Sequence, residues 1–266
     1  MAYVHGYSER ETQRLEEQSL ILEELLHGGT AYEPGSRVLE VGCGVGAQSL
    51  LLLKRNPGIG LCCLDISNSS LERARANIET AGFGGVEFLQ GDIMDHGPEA
   101  ASFDHVFVCF VLEHLDDPVT ALRNMRGLLR EGGSITVIEG DHGSGIWTPE
   151  SEASRKAWDG LVESQRMQGH DPDIGRRLYP LMVSAGLKDV RVEPRPVYAD
   201  RSGPRLLDEV VNQIITPMVQ SAERFVLESG LTDEKIWKRG LKNLSDVAFD
   251  EGGTFYYTWF KGTGIL

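Results

Sequence analysis

Short apolar runs alternate with amphipathic stretches along this chain, and that alternation predicts its elements. Val38, Leu39 and Val41 make an apolar, β-branched run that reads as a buried strand. It runs into Gly42, Gly44 and Gly46 and then into AQSLLLLKR, a helix over 47–55 that Asn56-Pro57-Gly58 closes. LCCLDIS supplies a second strand ending at Asp65. A helix over 67–81 ends at Gly82, and a third strand, VEFLQ, leads to Gly91-Asp92-Ile93. FDHVFVCFVL, residues 103–112, is apolar nearly throughout, as in a sheet covered on both faces. Glu113-His114-Leu115-Asp116-Asp117-Pro118 and a helix over 118–130 follow it, and then a Glu131-Gly132-Gly133 turn and a fifth strand, SITVIEGD.

The ends of the chain extend this pattern. Residues 8–27 form a predicted helix, with Ser8 and Glu11 as a capping box and Leu15, Leu22, Leu25 and Leu26 on one face. Beyond 148, helices are predicted over 149–168 and 174–185. KDVRVEPRPVYA alternates as a strand whose two prolines place it at an edge. Residues 204–249 form a helical insertion of two helices split near Gly230–Asp233, and the aromatic, alternating TFYYTWFKG is the last strand.

Composition narrows the classes. A chain of 266 residues fits one large α/β domain, or a domain of about 150 residues with additions. With 26 basic and 40 acidic residues the net charge is −14, which argues against general affinity for nucleic acid and for simple solubility. Cys43, Cys62, Cys63 and Cys109 fall in or beside predicted strands without a C-x-x-C pair. They read as reduced core thiols of a cytoplasmic protein. The seven histidines are scattered, with no helical i, i+4 pair, so no metal site is expected. The polar opening MAYVHGYSERE predicts no secretory leader, and no apolar run approaches the ~20 residues of a membrane span.

Strand, glycine turn and helix N-terminus together make a cradle: glycines leave no Cβ in a ligand's way, and helix N–H groups face the loop. A dinucleotide loop spaces its glycines G-x-G-x-x-G. Here the spacing is G-x-G-x-G, with Glu40 two places before the first glycine. A carboxylate there disfavours a phosphate and favours a cationic ligand. The competing reading is a tight strand-to-helix turn without a ligand.

The pattern E-x-G-x-G-x-G resembles motif I of the class I S-adenosylmethionine (SAM) methyltransferases. The resemblance implies that Gly42, Cys43, Gly44 and Gly46 pack against the amino-acid part of the cofactor while Glu40 helps hold its charged end. Asp65, with Ile66 beside it, lies 23 positions after Gly42 at the next strand end, the place of the ribose ligand in Rossmann-like folds. Its alternative is a cap for the helix over 67–81. Gly91-Asp92-Ile93 resembles the family's adenine-binding motif, with Asp92 accepting from the exocyclic amine and Ile93 covering the ring; a turn-capping Asp92 is the alternative. The FD…EHLDDP run resembles the segment after strand four in small-molecule methyltransferases of the ubiquinone/menaquinone type. That likeness implies Phe110 as a cofactor contact and Glu113 and His114 as a base and its orienter, while Asp116 or Asp117 caps the helix ahead of Pro118. The Asn-Pro-Pro-Tyr type of tetrapeptide is absent, which disfavours nucleobase and protein-amide acceptors. LLREGGSITVIEGDHGS again resembles the family, with Glu131 where proline is usual. Glu139, Asp141 and His142 lie at the end of the fifth strand, where open α/β sheets place their ligands, and Asp141 beside His142 is the leading candidate for orienting substrate or accepting a proton; a solvated loop is the competing reading. In such proteins the N-terminal segment often folds over the cofactor, which makes Tyr7 and Gln18 candidate contacts; aromatic docking of a terminus is the alternative.

The fold so implied is α/β. It is a Rossmann-like, seven-stranded, mostly parallel sheet, its last strand antiparallel between strands five and six, flanked by helices and carrying helical lid insertions. Residues 1–35 would be an N-terminal helical lid, 36–148 the SAM-binding core, and 149–266 substrate-covering helices plus the closing strands of the same sheet. The expected activity moves a methyl group from SAM to an O, N or C nucleophile of a small molecule and releases S-adenosylhomocysteine. No nucleic-acid or membrane partner is expected, and a homodimer is compatible with the pattern. Two other readings stand beside it: a SAM-binding protein of the same fold that senses or scaffolds without catalysis, and an NAD-linked oxidoreductase, whose G-x-G-x-x-G this chain lacks.

Overall fold

The computed structural model describes residues 23–95 and 98–266. Tyr7, Gln18 and most of the predicted first helix lie outside the described residues; its final turn, α1, spans Glu23–His27. Strands β1 (Arg37–Val41), β2 (Gly60–Asp65), β3 (Glu87–Gln90) and β4 (Phe103–Cys109) alternate with helices α2 (Ala47–Arg55), α3 (Asn68–Thr80) and α4 (Pro118–Leu128). β5 (Leu129–Thr148), α5 (Glu152–Met167), α6 (Leu178–Ser184) and β6 (Lys188–Asp200) follow. Then come α7 (Pro204–Asp208), α8 (Thr216–Ser221), α9 (Glu223–Glu228), α10 (Glu234–Asp246) and β7 (Thr254–Ile265).

The strands form one seven-stranded sheet in the order β3-β2-β1-β4-β5-β7-β6. β1 to β5 pair in parallel. The Leu266 N–H meets the Gly133 carbonyl at 3.0 Å and the Thr258 N–H meets Ser144 Oγ at 2.9 Å, so β7 runs against β5. The antiparallel last strand thus lies where expected, and β6, with its prolines, lies at the edge.

The chain divides into two compact units. Leu26–Gly140, Asp173–Arg195 and Trp259–Leu266 make one; Asp141–Pro172, Pro196–Thr258 and residues 23–25 belong to the other. In the first, the sheet buries Leu39, Val41, Val106, Val108, Ile135 and Val137 against Leu122, Met125, Leu178 and Met182. Its buried Lys261 donates from Nζ to the Gly28 carbonyl at 2.9 Å and to Thr30 Oγ1 at 2.5 Å, which ties β7 to the end of α1. In the second, Trp147, Trp158, Phe255 and Tyr257 stack and tilt at 5.4–6.4 Å. α5 and α10 meet there at Gly240, where a Cβ would stand 2.3 Å from the Ala153 carbonyl oxygen.

Four predicted elements differ. β4 stops at Cys109, because Phe110 takes a left-handed φ of +58°. The Glu131-Gly132-Gly133 turn is an irregularity within β5, which starts at Leu129 and shifts register against β4 between Phe103 and His105. The helix over 174–185 opens as a 3-10 turn, Ile174–Arg177, since Pro180 has no N–H to donate back to it. The first insertion helix carries a π-helical stretch, Glu209–Ile215, just before Pro217, and breaks again at Ala222.

Candidate active site

Parallel register places the C-terminal strand ends at one level. Val41 pairs with both Leu64 and Val108, Asp65 with Gln90, and Cys109 with Ile138. The residues that follow, Gly42, Ile66, Gly91, Phe110 and Glu139, therefore share the edge at which open α/β sheets bind ligands.

The glycine loop is built from three left-handed residues, Gly42, Gly44 and Gly46, at φ +70°, +54° and +84°. The Gly42 and Cys43 N–H groups both donate to the Leu64 carbonyl, at 2.8 and 3.1 Å. A Cβ on Gly42 would stand 2.4 Å from Val111 Cγ2, and one on Gly46 3.2 Å from Ala74. On Gly44 it would meet nothing within 4 Å. Two of the glycines are thus required by packing, and the middle one faces open space.

Two carboxylates hold this loop. Asp65 Oδ2 accepts the Gly44 N–H at 2.8 Å and Oδ1 accepts the Ser67 N–H at 2.8 Å. Burial raises its pKa while those N–H groups oppose the shift. The cap of α3 is Ser67, whose side chain accepts the Ser70 N–H, so capping does not account for Asp65. Glu40 is 2% exposed beneath the loop; the Ser49 hydroxyl donates to it, and burial pushes its pKa up to about 8. At the next strand end, Asp92 Oδ1 accepts the Met94 N–H at 2.8 Å, which is the turn-capping role, and Ile93 is buried. Ile66 is 58% exposed beside Asp65.

Glu113 and His114 lie on a 3-10 turn, Leu112–His114, after β4, with Glu113 Oε1 3.3 Å from His114 Nε2. Asp141 and His142 belong to the other unit. Both are buried within β5, which continues to Thr148, so the solvated-loop reading does not hold. His142 Nδ1 is 2.7 Å from the Tyr257 hydroxyl, and Trp158 Nε1 donates to the His142 carbonyl. Sequence reasoning named neither Ser49 nor Tyr257 as a partner; both contacts join separate elements, and no local motif announces them.

Residues 39–137 match the methyltransferase domain family. The match runs from β1 to β5 and takes in the glycine loop, Asp65, Asp92, Phe110, Glu113 and His114. Demethylmenaquinone methyltransferase of Bacillus subtilis is 29% identical over 106 residues, 40% of this chain and 46% of that protein. The chain spans about half or less of the length of the curated relatives it matches. Among solved structures, phosphoethanolamine N-methyltransferase 2 of Haemonchus contortus, crystallised with phosphomonomethylethanolamine and S-adenosylhomocysteine, aligns with a TM-score of 0.59 at 17% identity. The alignment covers 94% of this chain and 56% of that one. The cyclase SpnF aligns with a TM-score of 0.56 at 16% identity, covering 99% and 84% of the two chains. These likenesses establish the fold.

Proposed function

We propose that this methyltransferase domain binds SAM and transfers its methyl group to a small-molecule acceptor. The observation that carries the reading is the open space above Gly44, bordered by the Asp65 carboxylate and underlain by the buried Glu40. A buried carboxylate beneath a glycine loop suits a cationic ligand and opposes a pyrophosphate.

When bound, the cofactor supplies an electrophilic methyl on a sulfonium. Glu40 would hold the ammonium of its amino-acid part, and the Gly44 backbone would lie against the same part. Asp65 keeps two oxygens, each able to accept a further hydrogen bond, for the vicinal ribose hydroxyls. Asp92 would accept from the adenine amine, and Ile66, Ile93 and Phe110 would supply apolar contacts to the ring. Aligning the acceptor with the methyl contributes on the order of 7–11 kcal/mol. Glu113, paired with His114, takes the acceptor's proton where that acceptor is a hydroxyl or ammonium, worth roughly 10²–10⁴-fold. Within the other unit, His142, whose Nδ1 is 2.7 Å from the Tyr257 hydroxyl, is a candidate for handling a proton.

The test is thermal unfolding with S-adenosylhomocysteine, alongside NAD. At a hundred times its dissociation constant a ligand of the native state adds ~2.7 kcal/mol, a rise of roughly 5–10 °C for a chain of this size. A rise with NAD alone overturns the reading. Incubation of methyl-labelled SAM with cell extract then separates catalysis, which labels an acceptor, from a sensing or scaffolding role, which labels none.

A further inference from the structure

Glu139 has no part in the roles above. It follows Ile138, whose carbonyl receives the Phe110 N–H at 2.9 Å. Its side chain is wholly buried and reaches the neighbouring strand end. There Oε1 accepts the backbone N–H groups of Val111 at 3.0 Å and Leu112 at 2.7 Å, and the Glu113 N–H adds to them. These groups open the 3-10 turn that carries Glu113 and His114, where helical backbone has no acceptors of its own. No local side chain caps the turn. Phe110, left-handed without being glycine, sends the chain away from β4 just before it, a conformation that persists only when its surroundings hold it.

We infer that Glu139 is a positioning residue: its carboxylate clasps the turn after β4 from the adjacent strand and thereby fixes Glu113 and His114 at the strand ends. What the turn does rests on the methyltransferase reading; the clasp itself is a property of the protein without ligand. Burial and the neighbouring Glu113 charge push the Glu139 acid well above the usual carboxylate range. The clasp survives either protonation state, because the Val111 and Leu112 N–H groups share one oxygen, and a neutral acid keeps one carbonyl oxygen with two lone pairs. Glutamine offers the same oxygen at the same reach. Alanine leaves the buried N–H groups unpaired and releases the strained Phe110.

The test compares the 266-residue wild type, Glu139→Gln and Glu139→Ala on three readouts: hydrogen exchange of the segment 110–114, affinity for S-adenosylhomocysteine, and label transfer from methyl-labelled SAM to the extract acceptors that wild type modifies. Glu139→Ala is expected to speed exchange in 110–114 and to lower kcat about 100-fold, the scale of a misplacement near 1 Å, with KM for SAM within about threefold of wild type. Glu139→Gln is expected to stay protected and to recover most of the rate. A retained cofactor affinity separates this from general damage to the fold. Should alanine not fold, Glu139→Asp, one methylene short of the turn, takes its place with the same expectations. Unchanged exchange and kcat in the alanine variant overturn the inference. So does a glutamine variant that is protected yet as slow as alanine, which assigns Glu139 to proton chemistry. A wild type that neither binds S-adenosylhomocysteine nor moves label refutes the methyltransferase reading instead, and the exchange measurement alone then decides the clasp.

Discussion

Gly44→Ala separates a glycine kept for a ligand from one kept for the fold. The φ of +54° at Gly44 makes any Cβ there strained, a cost of about 1–2 kcal/mol. Nothing stands within 4 Å of that Cβ, so no clash adds to it. At roughly 2–4 °C per kcal/mol for a chain of this length, the unliganded variant should melt about 2–8 °C below wild type. Gly42→Ala is the control. It carries similar strain at φ +70° and also sets a Cβ 2.4 Å from Val111 Cγ2. Valine is stiff about χ1 and follows a left-handed Phe110, so it has little room to yield. Gly42→Ala should therefore lose more stability. Cofactor binding should reverse the order of interest: the methyl of Gly44→Ala occupies the open space itself and should abolish the S-adenosylhomocysteine shift. Losing the ~2.7 kcal/mol seen at a hundredfold excess corresponds to about 100-fold in affinity. Calorimetric melting with and without S-adenosylhomocysteine reads both quantities in one experiment. A Gly44→Ala protein that melts slightly lower yet keeps the full ligand shift would show that the cofactor does not lie over Gly44, and the site assignment would fall with it.

Three further variants carry expected outcomes. Glu40→Gln should bind S-adenosylhomocysteine roughly 10–100-fold more weakly by calorimetry, the scale of a charge-assisted hydrogen bond. The folded pKa of Glu40, about 8, lies above the ordinary 4.5, so its contribution is full below 4.5 and lost as pH rises through 8; unliganded Glu40→Gln should gain on wild type in melting temperature between pH 5 and pH 9, and a constant difference would contradict this. Burial, and then the Arg195 charge, lower Lys261 from 10.5 to about 8. A depressed folded pKa gives a contribution that is present above 10.5 and lost as pH falls through 8, so wild type should gain on Lys261→Met between those values, and parallel pH profiles of the two would refute it. His142→Ala should keep the S-adenosylhomocysteine shift while slowing label transfer to extract acceptors; loss of the shift would show that this residue serves cofactor binding instead.

Much of the sheet was legible because its signals are local. The β-branched runs, the closing glycines and Asn56-Pro57-Gly58 bound β1, α2 and β2 almost to the residue. β5 outruns its predicted end at Asp141, because residues 142–148 carry no sustained apolar alternation and pairing with the distant β7 makes them a strand. The end of β4 was invisible for a related reason: nothing in phenylalanine announces a left-handed backbone, which the Ile138 carbonyl and the Glu139 clasp impose from the next strand. The site divides along the same line. Glu40, the glycines, Asp65 and Asp92 stand at fixed offsets from strand ends and can be read in order. Ser49, Tyr257 and Glu139 act on partners across the fold, 9, 115 and 27 positions away, where no spacing rule reaches.

The fold by itself does not choose the chemistry, since a cyclase and an N-methyltransferase both align with this chain over more than nine tenths of its length. Charge at the strand ends is more selective. An acidic residue at the end of β2 is common to dinucleotide and SAM sites, because both present a ribose. Glu40 is not. It lies one residue inside β1, under the loop that would have to receive a pyrophosphate, and its surroundings already resist its ionisation. A pyrophosphate would add like charge where the Glu40 acid is already pushed up, whereas an ammonium would supply the missing counter-charge. On the proposed reading, the same carboxylate that weakens the empty protein at high pH would be the feature that selects a cationic ligand. Glu40→Gln should separate these two effects in a single variant: greater stability without ligand, and weaker binding of S-adenosylhomocysteine. If both moved in the same direction, Glu40 would be a structural acid, and the case against a dinucleotide would rest on the glycine spacing alone.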